Sequence, residues 1–229
     1  MSFFLAGPAS PTLFWLTVAV LVTGLVTKRL SPRHVVLPQP WLSSPVLALE
    51  LPRNASDMKS LLGPLPPGGH RPAFAHAIYA DFAFIGAYSA LWGLMSARAA
   101  AVLGGLAVVV AAADVAENLG MLRAISRAEP SEATARWTRG MSLLKWTLLG
   151  VLLVGAAFAW LPASWVGAAW MAVRLAFALG YGAAGLLYVL GGISNALGVV
   201  GLTRAIVGAN YVMAVVVPLQ AVYLWFHEL

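Results

Sequence analysis

Long apolar runs recur along this chain and leave few folds open to it. About 20 apolar residues is the length of a helix that crosses a bilayer. Inside hydrocarbon the backbone must satisfy its own polar groups, which a helix does within one segment. Such runs occupy roughly residues 12–27, 73–95, 99–122, 140–161, 173–190 and 205–226. The expected fold class is all-α, a polytopic transmembrane helix bundle of about six spans, forming a single transmembrane domain over residues 1–229. Only 10% of the residues are charged, against about 25% in soluble domains, so a soluble fold is excluded. The net charge of +6 then reads as basic loops facing anionic headgroups, and no nucleic-acid partner is expected.

The segments between the runs carry breakers. Residues 31–72 hold Pro32, Pro38, Pro40, Pro45, Pro52, Pro64, Pro66, Pro67 and Pro72, which interrupt any long helix. Within them Asn54-Ala-Ser-Asp57 resembles a capping box, opening a short helix over 56–62 that Gly63-Pro64 stops. This stretch is expected to lie at the membrane interface; its apolar part, 46–51, could fold partly back into the membrane. Ser96–Arg98 reads as a tight turn and 123–139 as a polar loop. Gly191-Gly192 with Ser194-Asn195 reads as a break, and Pro218 as a kink. Trp165 and Trp170 suit interface anchors, and residues 1–11 a short extracytoplasmic lead.

Charge sets the orientation. With the N-terminus outside, cytoplasmic segments hold Lys28, Arg29, Arg33, Arg53, Lys59, Arg71, Arg123, Arg127, Arg136, Arg139 and Arg204. Arg98 and Arg174 fall outside, and Lys145 within a span, completing the 14 basic residues. That bias predicts a multi-pass protein of a cytoplasmic (inner) membrane with an outside N-terminus. Lys28 and Arg29 follow the first run and nothing positive precedes it, which suits a retained helix rather than a cleaved signal.

Against this apolar background, Asp114, Glu117 and Asn118 stand within five residues inside the third run. Spaced three and four apart on a helix, they share a face. A carboxylate in hydrocarbon costs roughly 2.5–3.5 kcal/mol on insertion scales, so that face must meet protein, water or a cation. Asp81 in the second run and Lys145 in the fourth are the natural partners. Each of these acids and the lysine falls roughly 8–12 Å from the inner end of its span at 1.5 Å per residue. The candidate polar cluster is therefore Asp81, Asp114, Glu117, Asn118 and Lys145. Paired carboxylates can divide into acid and base roles when a neighbour or burial separates them. Lys145 could hold one of them ionised or bind a phosphate headgroup. A structural ion-pair network holding three helices in register accounts for the same residues.

Other chemistry is poorly represented. There is no cysteine, hence no disulfide, thiolate metal site or cysteine nucleophile. His34, His70, His76 and His227 are scattered, which disfavours a haem. No zinc-protease, serine-hydrolase or phosphate-loop motif is present. One D-x-x-E-N array is too little for a diphosphate–Mg²⁺ enzyme. No cofactor and no metal is expected, and whether the protein is an enzyme stays open.

Glu50-Leu51, D-F-A-F-I-G-A-Y (Asp81–Tyr88), D-V-A-E-N-L (Asp114–Leu119) and L-K-W (Leu144–Trp146) occur in this order. The pattern resembles a group of bacterial multi-spanning membrane proteins over roughly residues 48–150. The resemblance brings no assigned activity; it implies that the polar residues belong to one unit. The leading expectation is a membrane protein handling a lipid or small apolar molecule at an inner-leaflet polar pocket. The alternatives are a non-catalytic scaffold or accessory subunit of a membrane complex, and a small proton- or ion-coupled transporter. Expected partners are the bilayer and a lipid or apolar ligand, with a homo-oligomer or larger membrane complex left open.

Overall fold

A computed structural model describes residues 11–33, 35–38, 42, 44–64, 69–161, 168–196 and 200–228. Among these the chain is helical, with no strand. The helices are α1 (Pro11–Leu30), α2 (Pro45–Glu50), α3 (Ala55–Leu62), α4 (Arg71–Ala99), α5 (Ala101–Ile125), α6 (Glu132–Trp160), α7 (Ala168–Ala196) and α8 (Val200–Glu228). Six of them, α1 and α4 to α8, are long and apolar enough to cross a membrane. The protein is an all-helical, multi-pass membrane protein.

The helices outrun the apolar stretches that announce them. Ser96–Arg98 is not a turn: α4 continues through it to Ala99 and only Ala100 separates α4 from α5. The polar loop shrinks to 126–131, because α6 begins at Glu132 and carries Arg136 and Arg139 as helical residues. Ser131 opens α6, its hydroxyl accepting from the Thr134 N–H at 3.2 Å. Hydropathy marks where lipid ends, whereas a capped helix runs on into polar surroundings. Gly191-Gly192 and Ser194-Asn195 do not break α7; the two glycines serve packing, facing Ile206 and Thr147. Pro218 lies inside α8. Residues 1–10, His34 and Trp165 lie outside the described residues, as do the side chains of Trp170 and His227.

Two compact units divide the chain. One comprises Val22–Gly86 and Ala111–Lys145. Here the proline-rich stretch folds into α2 and α3. Ser44 caps α2, accepting from the Leu47 N–H, with Pro45 in the first turn where its missing N–H costs nothing. Asn54 caps α3 through the Asp57 N–H, and Gly63 closes it at φ 67°, a left-handed conformation that suits glycine. Leu47, Ala48, Leu49, Leu51, Met58, Leu61 and Leu62 are all buried, so this segment is packed core. Arg53 grips Asp57 with its guanidinium at 2.8 and 3.1 Å and with its backbone N–H at 3.0 Å.

Arg71, the first residue of α4, is buried. Its guanidinium donates to the carbonyls of Ala124 and Ile125 at the end of α5, of Arg127 and Ala128 just beyond, and of Gly63. The last carbonyls of a helix lack intrahelical donors and carry partial negative charge. A planar five-donor cation answers both needs.

The second unit comprises Met1–Leu21, Ala87–Val110 and Trp146–Leu229. Small residues set its packing. A Cβ built on Gly185 of α7 would fall 2.6 Å from the Gly150 carbonyl of α6, so the two backbones approach as only glycine allows. Ser96 donates to the Leu152 carbonyl at 2.6 Å. At Gln220 of α8 a neutral polar network closes: Tyr181 donates to its carbonyl, and its amide donates to Thr17 at 2.9 Å. Thr17 in turn donates to the Leu13 carbonyl at 2.7 Å. Trp160 of α6, Phe177 of α7 and Tyr223 of α8 pack on one another in tilted and edge-to-face contacts, their ring centroids 4.7–5.6 Å apart.

Candidate functional site

The acids and the lysine all fall within the first of these units. Asp114, Glu117 and Asn118 project from one face of α5, and Lys145 from α6. The Lys145 Nζ lies 3.1 Å from Asp114 Oδ1 and 2.8 Å from Glu117 Oε2. A third carboxylate completes the grip: Glu50 Oε2, at 3.2 Å. Asp81 of α4 does not touch Lys145 in this arrangement; it accepts from the Asn118 side-chain amide at 2.9 Å. Asn118 therefore ties the Asp81 carboxylate to the face that carries Asp114 and Glu117.

Glu50 is the member that sequence reasoning missed. It ends α2, a helix of six residues. A carboxylate at a helix C-terminus is placed against the macrodipole, so an ammonium in contact offsets that local repulsion. Two signals could have found it. Ser44-Pro45 is a helix start, and Glu50 is the only charge among otherwise apolar residues from 46 to 51.

The centre is closed off. Asp114, Asn118 and Lys145 are buried, Glu117 is 0% exposed and Glu50 9%. Asp81 is the least covered, half-buried on the α4 side. Burial on this scale removes water as a partner, so each unpaired polar atom is costly. Two such atoms stand out: Glu117 Oε1 and Asn118 Oδ1 find no hydrogen-bond partner among the described residues. On α6, Thr138, Ser142 and Lys145 share a face by their spacing of four and three. The Thr138 and Ser142 hydroxyls are likewise buried without a partner among the described residues. A stripe of unsatisfied oxygen thus runs from the lysine toward the start of α6.

One ammonium neutralises one carboxylate, yet three touch it. Were all three ionised, the contact set would hold two net negative charges in a place without water, at a large Coulomb and desolvation cost. Protons, a further cation or partners beyond this contact set make up the difference. Among the described residues, no group of three or more His, Cys, Asp or Glu is disposed to hold a metal ion. Among the described residues no histidine joins the carboxylates: His70 precedes α4 and His76 lies within it.

A separate hollow of about 470 Å³ lies on the outer side of α5 and α6, lined by Ala116, Leu119, Gly120, Arg123 and Trp137 among others. None of the carboxylates and not Lys145 line it. The Trp137 indole N–H donates to the Ala116 carbonyl at 3.0 Å and fixes its wall.

No family model, curated protein or solved structure matches this chain.

Proposed function

We propose that this protein is a proton-binding membrane protein of transporter type, whose working group is the Glu50–Asp114–Glu117 carboxylate set around Lys145. It sits in a bacterial-type inner membrane, with the centre toward the cytoplasmic leaflet. The observation that carries this reading is the excess of acid over base: three carboxylates on one ammonium, all buried. Such a set exchanges protons with little rearrangement, because moving a proton between neighbouring carboxylates leaves Lys145 a partner in either state. Intramembrane ionisable groups of this sort commonly mark proton or ion pathways. The Ser142 and Thr138 hydroxyls extend polar atoms along α6, and Asp81, less buried and joined through Asn118, offers a second approach from α4.

The test needs no substrate. Infrared difference spectra of the protein in lipid vesicles, taken as pH is varied, report protonated carboxyl groups directly. The proton reading expects a titrating carboxyl band that weakens in Glu117→Gln and in Asp114→Asn, and that is unchanged when sodium replaces potassium. A spectrum silent across the whole range in which the protein stays folded rejects it.

A second reading is favoured by the burial itself. With every member of the contact set under a tenth exposed, the centre could act only as a lock that holds α2, α5 and α6 in register, and the protein as a scaffold or accessory subunit. In that case the same spectra show fixed protonation. Handling of a lipid or apolar molecule is better supported at the hollow on α5 and α6 than at the acids, because the acids do not line it.

A further inference from the structure

We propose that the hollow on α5 and α6 is a binding site for a single anionic phospholipid, with the phosphate on Arg123 and one acyl chain along the apolar floor. The inference is independent of the proton chemistry at Lys145. Its first support is the match between the shape and a lipid. Arg123 stands in the last turn of α5, at the end of a membrane-crossing helix, where headgroups lie. Ala116, Leu119 and Gly120 form the floor. From Arg123 to Ala116 the floor runs about two turns inward, roughly 10 Å, which is the direction an acyl chain takes from its headgroup. Leu119 and Trp137 are more than half exposed, so the floor faces whatever surrounds the helices.

Charge complementarity is the second support. The Arg123 guanidinium is exposed and makes no ion pair or hydrogen bond among the described residues. The acids that follow it in sequence are engaged elsewhere: Glu129 with Lys59 and Glu132 with the Ala55 N–H. Ser131 lines the same end, but its hydroxyl is engaged with Thr134 as the cap of α6, so the charge on offer is that of Arg123. An unpaired guanidinium over an apolar trough selects an anionic head with an apolar tail. A second copy of this chain is a poorer occupant. Arg127 and Arg136 are also exposed close by in sequence, and a self-complementary contact would bring like charges together. The shared wall is rigid, because a Cβ on Gly120 would strike Trp137 and Thr138, and the indole is bonded to Ala116.

The test uses the full-length protein in detergent, with dioleoylphosphatidylglycerol and dioleoylphosphatidylcholine as probes, and native mass spectrometry to read lipid retention. Wild type is expected to retain one phosphatidylglycerol in preference to phosphatidylcholine. Arg123→Gln is expected to weaken that retention about fivefold, the value of about 1 kcal/mol for one basic residue at a membrane surface. Ala133→Trp places bulk in the hollow at an exposed residue that lines it and is expected to abolish the preference. Arg136→Gln, an exposed arginine that does not line the hollow, keeps it. Equal retention of the two lipids by wild type overturns the proposal, as does equal loss in Arg123→Gln and Arg136→Gln. Unchanged retention in a folded Ala133→Trp overturns it too, since the lipid would then lie elsewhere.

Discussion

The two units solve one problem, polar groups inside an apolar protein, in opposite ways. At Gln220 the linked groups are neutral and paired: Tyr181 donates to the Gln220 carbonyl, the Gln220 amide to Thr17, and Thr17 to the Leu13 carbonyl. Around Lys145 the groups are charged, the acids outnumber the base, and Glu117 Oε1 is left without a partner among the described residues. The first arrangement has one state. On the proton-binding reading proposed above, the second has several, distinguished by where the protons sit. A protein that needed only to stay folded would be served by the first kind, and the contrast is what singles out the Lys145 centre.

The strongest blow to this contrast is Lys145→Met. Removing the cation leaves three buried carboxylates facing one another, and breaking a buried pair costs about 3–5 kcal/mol. The melting temperature in detergent should fall steeply, or folded protein should be lost altogether. Adding Glu50→Gln, Asp114→Asn and Glu117→Gln to the same chain should recover much of that loss. If Lys145→Met alone melts like wild type, the centre is not holding charge and the contrast fails.

Next comes Gly185→Leu in the other unit. Forcing a side chain against the Gly150 backbone is overpacking, at about 1–3 kcal/mol, and should lower the melting temperature without altering any carboxyl infrared band. Gln220→Leu should cost less, about 1 kcal/mol, since interhelical hydrogen bonds in membranes are individually modest. A cycle with Tyr181→Phe sharpens this: if the neutral network is a closed set, the double variant should lose less than the two single losses added together.

The smallest effect belongs to Asp57, outside the spanning helices. Burial pushes its carboxyl up, but the Arg53 side chain, backbone N–H and charge together pull it below its ordinary value. The folded state therefore favours the ionised form. Its contribution is fully present above the ordinary aspartate range and fades as pH falls through the lowered folded value. Asp57→Asn should flatten the acid limb of the melting profile slightly and leave the neutral-pH carboxyl spectrum untouched.

Much of the architecture could be read in advance because membranes impose it. Apolar length fixed where helices cross, and spacing put Asp114, Glu117 and Asn118 on one face. The matched depths of Asp114, Glu117 and Lys145 follow from short connections between antiparallel neighbours, which is why those residues could be grouped before any coordinates. Asp81 lies at the same depth, yet its hydrogen bond to the group is with Asn118 and not with Lys145; depth along a helix does not specify which way a side chain turns. Glu50 stood in the resembling pattern yet was not placed in the cluster, because a short helix between prolines carries no period to show which way its residues face. Arg71 counted as one more basic residue at a membrane border, where hydropathy cannot tell a solvated charge from one sunk among carbonyls.

The Glu50–Lys145 contact joins residues 95 apart in the chain. A ribosome makes the acids first and the lysine they share last. While α6 is still inside the exit tunnel, Glu50, Asp114 and Glu117 have no ammonium to meet, and α5 must either wait in the insertion machinery or enter the bilayer with its carboxyls protonated. If α5 enters first, synthesis itself is the first occasion on which these side chains take up protons, and the arrival of Lys145 the first on which they give one back.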